Sequence, residues 1–169
     1  MTKKKQFMEL YGPVHGSFER FCKARSYGIC DFNDLMHDTL IIAFEQFENL
    51  KSKEAFLSFL FGITSKVHAN FRRKRKTLSF SEVKGVENTQ DTSFSMEKNF
   101  QLDELYEALN QLKEEYRNCL ILFEIAGFSI KETAAIQECS IDAVKQRLSR
   151  GRRLLAEALS EKSTQSITL

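Results

Sequence analysis

Residues 129–153 read Ser129-Ile-Lys-Glu-Thr-Ala-Ala-Ile-Gln-Glu-Cys-Ser-Ile-Asp-Ala-Val-Lys-Gln-Arg-Leu-Ser-Arg-Gly-Arg-Arg153. Ser129 and Glu132 have the spacing of a capping box, in which the serine caps the first turn and the glutamate reaches back. A further helix starts at Ser140 and turns Val144, Leu148, Gly151 and Leu155 inward. Two short helices around a turn at Cys139–Ser140 predict a helix-turn-helix. Opposite the apolar stripe, Lys145, Ser149 and Arg152 follow i, i+4, i+7, and Gln146, Arg150 and Arg153 repeat the pattern one residue on. Between Ser140 and Arg153 only Asp142 offsets these cations. The second helix of such a unit lies in the major groove, where Arg or Lys bonds guanine edges, Gln bonds adenine edges and other cations hold phosphates. A solvated basic face is the plainer reading of one helix. Its combination with a capped short helix and a turn favours nucleic acid.

Upstream, Leu102, Leu105, Tyr106, Leu109 and Leu112, then Tyr116, Cys119, Leu120 and Phe123, keep helical spacing until Gly127, a helix terminator. Residues 77–100 keep no period and are polar, so they predict a flexible linker between domains 1–76 and 101–169. Before it lie three apolar series. Phe7, Leu10, Tyr11, Val14, Phe18, Phe21 and Cys22 form a helical stripe that Pro13 must kink or break. Phe32, Leu35, Leu40, Ala43, Phe44 and Phe47 follow Asp31 as N-cap. Phe56, Phe59, Leu60, Ile63 and Val67 belong to a helix that starts near Ser52 and runs into the basic tract Arg72–Lys76. The predicted fold is therefore all-α, with a three-helix domain and a helix-turn-helix domain.

Two further constellations carry chemistry. Phe59, Lys66, Asn70 and Arg73 share one face of the third helix. An aromatic ring, an amide and two cations suit unstacked bases, each stacking contact contributing roughly 1–3 kcal/mol, although Phe59 alone reads as core. On the second helix Asp34 and Asp38 bracket His37, but no second acidic motif complements them for a metal. Ile41 among Asp34, Asp38 and Glu45, off the core stripe, reads instead as a partner surface.

Composition agrees. The 169 residues carry 25 Lys+Arg and 23 Asp+Glu, one Pro, no Trp and fifteen Phe, a balance that argues against a β-sandwich or a disordered chain. The net charge of +2 conceals a first domain at +6, a linker at −2 and a second domain at −2 that bears one basic face. No apolar run approaches a membrane span, and Lys3-Lys4-Lys5 is followed by no signal-type apolar core. Cys22, Cys30, Cys119 and Cys139 lack paired spacing and read as reduced, mostly core thiols of a cytoplasmic protein. No nucleophilic triad, P-loop or dinucleotide fingerprint is present, so no enzyme activity, cofactor or resident metal is expected.

With these residues in view, the chain resembles the extracytoplasmic-function (ECF) sigma factors of the bacterial sigma-70 family over roughly residues 6–160. Asp31-Phe-Asn-Asp-Leu-Met-His-Asp-Thr-Leu40 resembles the family's D-x-x-D-L-x-Q-D-x-F helix. The resemblance implies that Asp34, Leu35, Asp38 and Ile41 dock on the β′ clamp coiled coil of core RNA polymerase. Phe56-Leu-Ser-Phe-Leu-Phe-Gly-Ile-Thr-Ser-Lys66, with Asn70 and Arg73, is similar to the segment that recognises and melts the minus-ten element. That similarity gives Phe59, Lys66, Asn70 and Arg73 this role.

Ala108-Leu-Asn-Gln-Leu-Lys-Glu-Glu-Tyr-Arg117, Ser129-Ile-Lys-Glu-Thr-Ala134 and Ala143-Val-Lys-Gln-Arg-Leu-Ser-Arg-Gly-Arg152 resemble the family's minus-thirty-five unit. The last implies base-edge contacts from Lys145, Gln146, Ser149 and Arg150, and phosphate contacts from Arg147 and Arg152. The two domains then correspond to sigma regions 2 and 4. The implied partners are core RNA polymerase, promoter DNA and an anti-sigma factor. The alternative is a helix-turn-helix regulator that acts without polymerase. His37 stands where the family has Gln, Phe59 where it has Trp, Lys66 and Asn70 where Asn and Asp are usual, Lys113 for Pro and Gly151 for Ala. In a helix interior the last departure costs about 1 kcal/mol unless close packing needs it.

Overall fold

The computed structural model describes residues 1–81 and 100–167. Every regular element among them is helical. The first, α1 (Lys3–Tyr11), is capped by Thr2, whose hydroxyl accepts the Lys5 N–H at 3.3 Å. Pro13 does break the stripe: Gly12–Val14 form a 3₁₀ turn, and α2 (His15–Ser26) restarts beyond it. In α3 (Phe32–Glu45) the Asp31 carboxylate accepts the Asn33 N–H at 2.7 Å, the expected cap. A 3₁₀ turn at Lys53–Ala55 leads into α4 (Phe56–Ser81). The predicted linker therefore starts late, because α4 carries its helical hydrogen bonding through residues 77–81. The rest of that segment, 82–99, lies outside the described residues.

Ten of the fifteen phenylalanines fall in residues 1–76, which explains how so short a stretch forms a core. Phe7 meets Phe56 at 5.8 Å and 80°, Phe18 meets Phe61 at 5.7 Å and 88°, and Phe21 meets Phe61 at 4.7 Å and 84°. Edge-to-face pairs of this kind contribute about 0.5–1.5 kcal/mol each beyond burial. Leu35 on α3 and Leu60 on α4 are both fully buried.

The second half holds α5 (Phe100–Gln111), α6 (Glu114–Leu120), α7 (Ile130–Gln137) and α8 (Ile141–Ile167). The stripe over 102–123 is divided at Lys113, whose extended ψ of 145° interrupts the helix. After Leu120 the chain widens into a π-helical turn, Ile121–Ile125, with the Ala126 N–H reaching the Ile121 carbonyl at 2.8 Å. Gly127 then ends it at φ +82°, a conformation that a side chain would strain. Both arms of the predicted capping box are formed: Glu132 N–H to Ser129 Oγ at 3.0 Å and Ser129 N–H to Glu132 Oε1 at 3.3 Å. Glu138 makes the turn at φ 52°, and Ser140 caps α8 through the Ala143 N–H at 3.1 Å.

The two halves are in contact. Phe61 on α4 packs edge-on against Phe128 at 5.5 Å, and Ser58 donates to the Ala135 carbonyl at 2.7 Å. All four cysteines are free, Cys22 and Cys119 buried and the other two half-buried. Burial raises the Cys30 and Cys119 thiols to about 11. No helix of the described residues is long and apolar enough to cross a membrane.

Candidate nucleic-acid interface

On α8 the inward face is Val144, Leu148 and Gly151, all buried. Gly151 is there for space. A Cβ at that position would sit 3.1 Å from Leu120 Cδ1 and 3.2 Å from its Cγ, so α6 approaches closer than an alanine allows without adjustment. The propensity cost of the glycine is thus offset by packing. The outward face leaves Lys145, Gln146, Ser149 and Arg150 exposed, and together with Arg153 they line a shallow concavity of about 620 Å³.

Three arginines of this helix are already held. Arg147 is a quarter exposed and donates to Gln137 Oε1 at 3.2 Å and Cys139 Sγ at 3.5 Å, with Glu115 at 3.9 Å. It ties α8 to α7 and α6. Arg152 pairs with Glu124 at 2.7 Å and lies over the Phe123 ring. Arg150 meets the Tyr116 hydroxyl at 3.4 Å. Spacing alone missed Tyr116, Glu115, Glu124 and Gln137 because they come from other helices. The i, i+4 pattern carries no signal for a partner 28 or 34 residues away.

On α4, Lys66, Asn70 and Arg73 are exposed and Phe59 is half-buried. Arg73 donates to Asn70 Oδ1 along the face, and Arg75 donates to the Gly28 carbonyl. The inner side holds His68, 4% exposed, with Nε2 on the Arg25 carbonyl at 3.0 Å and Nδ1 3.4 Å from Arg25 Nη2. Burial first, and then the Arg25 guanidinium, push its pKa down to about 4, so it is neutral at pH 7. Arg25, 6% exposed, has its own pKa lowered to about 10 by burial and by Arg117, against the attraction of Glu114.

On α3, Asp34, Asp38 and Glu45 are exposed, with Ile41 51% exposed among them. Leu35, by contrast, is fully buried and belongs to the apolar stripe of α3 rather than to its acidic face. Asp38 and Ile41 instead join Asn70, Phe71 and Lys74 around one cavity of about 280 Å³. The two constellations read separately in the sequence are neighbours across the α3–α4 groove. Among the described residues no cluster of three metal-binding side chains forms.

Residues 102–155 match the family model described as sigma-70, region 4. The chain is 26% identical over 127 residues to the ECF RNA polymerase sigma factor EcfG of Rhodopseudomonas palustris, covering 75% of this chain and 70% of the relative. It is 28% identical over 145 residues to the RNA polymerase sigma factor NccH of Alcaligenes xylosoxydans xylosoxydans, covering 80% and 78%. The Bartonella quintana sigma factor RpoE, solved in complex with the anti-sigma factor NepR, superposes with a TM-score of 0.64 at 25% identity, over 92% of this chain and 98% of that one. The chain is thus similar to ECF sigma factors over most of its length and carries a sigma-70 region 4 at residues 102–155. CnrH, solved with the cytosolic domain of CnrY, shares the fold at a TM-score of 0.65 and 23% identity, over 94% of this chain and 90% of that one.

With a sigma-70 region 4 and relatives named as RNA polymerase sigma factors, the chain serves transcription initiation. The region 4 match spans α5 to the middle of α8 and so contains the capping box, the turn and the whole basic face. Two of the family departures acquire reasons in the fold. Gly151 admits Leu120, and Lys113 keeps an extended backbone at the start of α6 where proline is usual.

Proposed function

We propose that this sigma factor binds core RNA polymerase through the acidic face of α3 and directs it to promoters with two separate elements. In this reading residues 1–76 and 101–169 are the functional domains and 77–100 the linker. Asp34, Asp38 and Ile41 dock on the β′ clamp coiled coil. Phe59, Lys66, Asn70 and Arg73 take the opened minus-ten strand, and α8 reads the minus-thirty-five duplex through Lys145, Gln146, Ser149 and Arg150. Arg152 is a phosphate contact only if DNA displaces Glu124. A cytoplasmic location follows from these partners, and an anti-sigma factor of the kind bound to RpoE and CnrH would mask the same surfaces.

One observation carries this: four side chains with base-reading chemistry stand exposed on the second helix of a capped helix-turn-helix. Run-off transcription with core polymerase and randomised upstream DNA tests it. Promoter-dependent transcripts that require the chain are expected, and Asp38→Ala should weaken polymerase association while leaving the helical fold intact. Tight specific duplex binding to which polymerase adds nothing would instead favour a regulator acting alone.

A further inference from the structure

Within the helix-turn-helix, residues 129–153, one large apolar side chain is exposed. Ile141, the first residue of α8, keeps 46% of its surface in water. The usual reasons for a residue at a helix start do not account for it. Capping is done by Ser140, whose hydroxyl takes the Ala143 N–H at 3.1 Å. The core beneath is filled by Val144 and Leu148, which are 0% and 3% exposed. A β-branched side chain also adds less to helix propensity than an alanine or a glutamate would.

Its surroundings turn this tip toward bases rather than the sugar–phosphate backbone. Residues 138–144 contain no Lys or Arg, and their two charged groups, Glu138 and Asp142, are exposed carboxylates that repel phosphate. The first cation of α8 is Lys145, one turn further along on the same side. In a helix-turn-helix the N-terminal residues of the second helix meet base edges. The polar groups of the major groove are hydrogen-bond donors and acceptors, which an alkyl side chain would desolvate without pairing. The 5-methyl group of thymine is the feature there that an isoleucine complements.

We propose that Ile141 is a specificity-determining residue, which reads an A·T pair of the minus-thirty-five duplex through the thymine methyl group. The inference rests on the reading of α8 given above. It adds a residue outside Lys145, Gln146, Ser149 and Arg150, and it names the base type that this residue selects. The register follows from helix geometry. Ile141 and Lys145 are four residues apart, about 6 Å along the axis, which is less than two base-pair steps of about 3.4 Å. The selected thymine therefore lies within about two base pairs of the base that Lys145 meets.

The test uses the full chain assembled with core polymerase on a promoter obtained by selection. Each thymine of the upstream element, on either strand, is replaced singly by deoxyuridine, which removes the methyl and keeps every hydrogen-bonding group. At one position the replacement should weaken promoter binding about fourfold, the worth of one buried methylene-sized group. Ile141→Ala should weaken binding to the unmodified promoter at least about fourfold and abolish the sensitivity at that position, a non-additive cycle. Ile141→Val, which keeps a branched alkyl group, should retain it. Both variants should match the parent chain in urea midpoint. Equal deoxyuridine sensitivity in the parent chain and Ile141→Ala overturns the assignment, as does an element in which no thymine matters. A lowered urea midpoint in Ile141→Ala makes the side chain structural and overturns it too. So does weaker association of that variant with core polymerase in the absence of DNA, which would assign Ile141 to a protein contact. A parent chain that selects no upstream element sinks the reading of α8 itself, and this inference with it.

Discussion

On α4, Lys66, Asn70 and Arg73 stand exposed above a helix whose buried side holds a neutral His68 against Arg25. On α8, Arg147, Arg150 and Arg152 each touch a side chain from α6, α7 or the π-helical turn before any ligand arrives. In the reading proposed above, the difference suits two kinds of nucleic acid. A base-paired duplex presents its edges at fixed positions, and an arginine whose rotamer is already restrained loses less entropy on binding them. A strand leaving the stack has no fixed geometry, and side chains that can follow it capture it more readily. On that reading, Arg150 on α8 is pre-set by the Tyr116 hydroxyl, and exposed Lys66 on α4 is the adaptable cation.

The largest expected effect separates the interiors behind these faces. All three histidines lie in the first half, and only His68 is buried among them. Its folded pKa of about 4 lies below the ordinary value of 6.5, so the unfolded chain binds the proton more strongly. The associated stability is complete above pH 6.5 and is lost as pH falls toward 4, by about 3 kcal/mol in total. Urea midpoints between pH 7 and 4.5 should show this loss, and His68→Gln should flatten it. An unchanged slope in that variant breaks the contrast.

Next, Arg150→Ala should weaken promoter binding by about 1–3 kcal/mol at some sequences and little at others. Lys66→Ala should weaken opened-promoter binding evenly and reduce its salt dependence. Equal behaviour of the two variants across sequences would erase the distinction between pre-set and adaptable cation. Gly151→Val should cost about 1–3 kcal/mol of stability by forcing Leu120 away, measured by urea denaturation. Gly151→Ala should be near neutral, because its gain in helix propensity opposes a 3.1 Å contact. The smallest effect belongs to Tyr116→Phe. Removing the hydroxyl that restrains Arg150 should cost below about 1 kcal/mol at the preferred duplex and leave the fold unaltered. No change in sequence selectivity there would show that Arg150 needs no restraint.

Much of this was readable before any coordinates. Asp31, Ser129 with Glu132, Pro13 and Gly127 act on neighbours within a few residues, so their spacing carries the signal of cap, break and terminator. The exposed face of α8 followed from one period of 3.6. Leu35 adjoins Asp34 in the motif, although its helical phase is that of the core. The sequence marks Arg147 as a cation and carries no sign of Gln137 and Glu115 beside it. The π-helical turn over Ile121–Ile125 left no trace in a stripe that is apolar throughout.

By itself, then, the sequence determined an all-helical chain, its helix starts and stops, its basic faces and the family to which those motifs point. These are properties of short segments, governed by dihedral preference, capping and the periodicity of side chains on a cylinder. Tertiary structure alone decided which cations are engaged, why residue 151 lacks a side chain, and that Phe61 meets Phe128 across the two halves. Those outcomes depend on contacts between residues 10 to 106 positions apart, where close packing and the burial of charge, rather than local preference, select the partner.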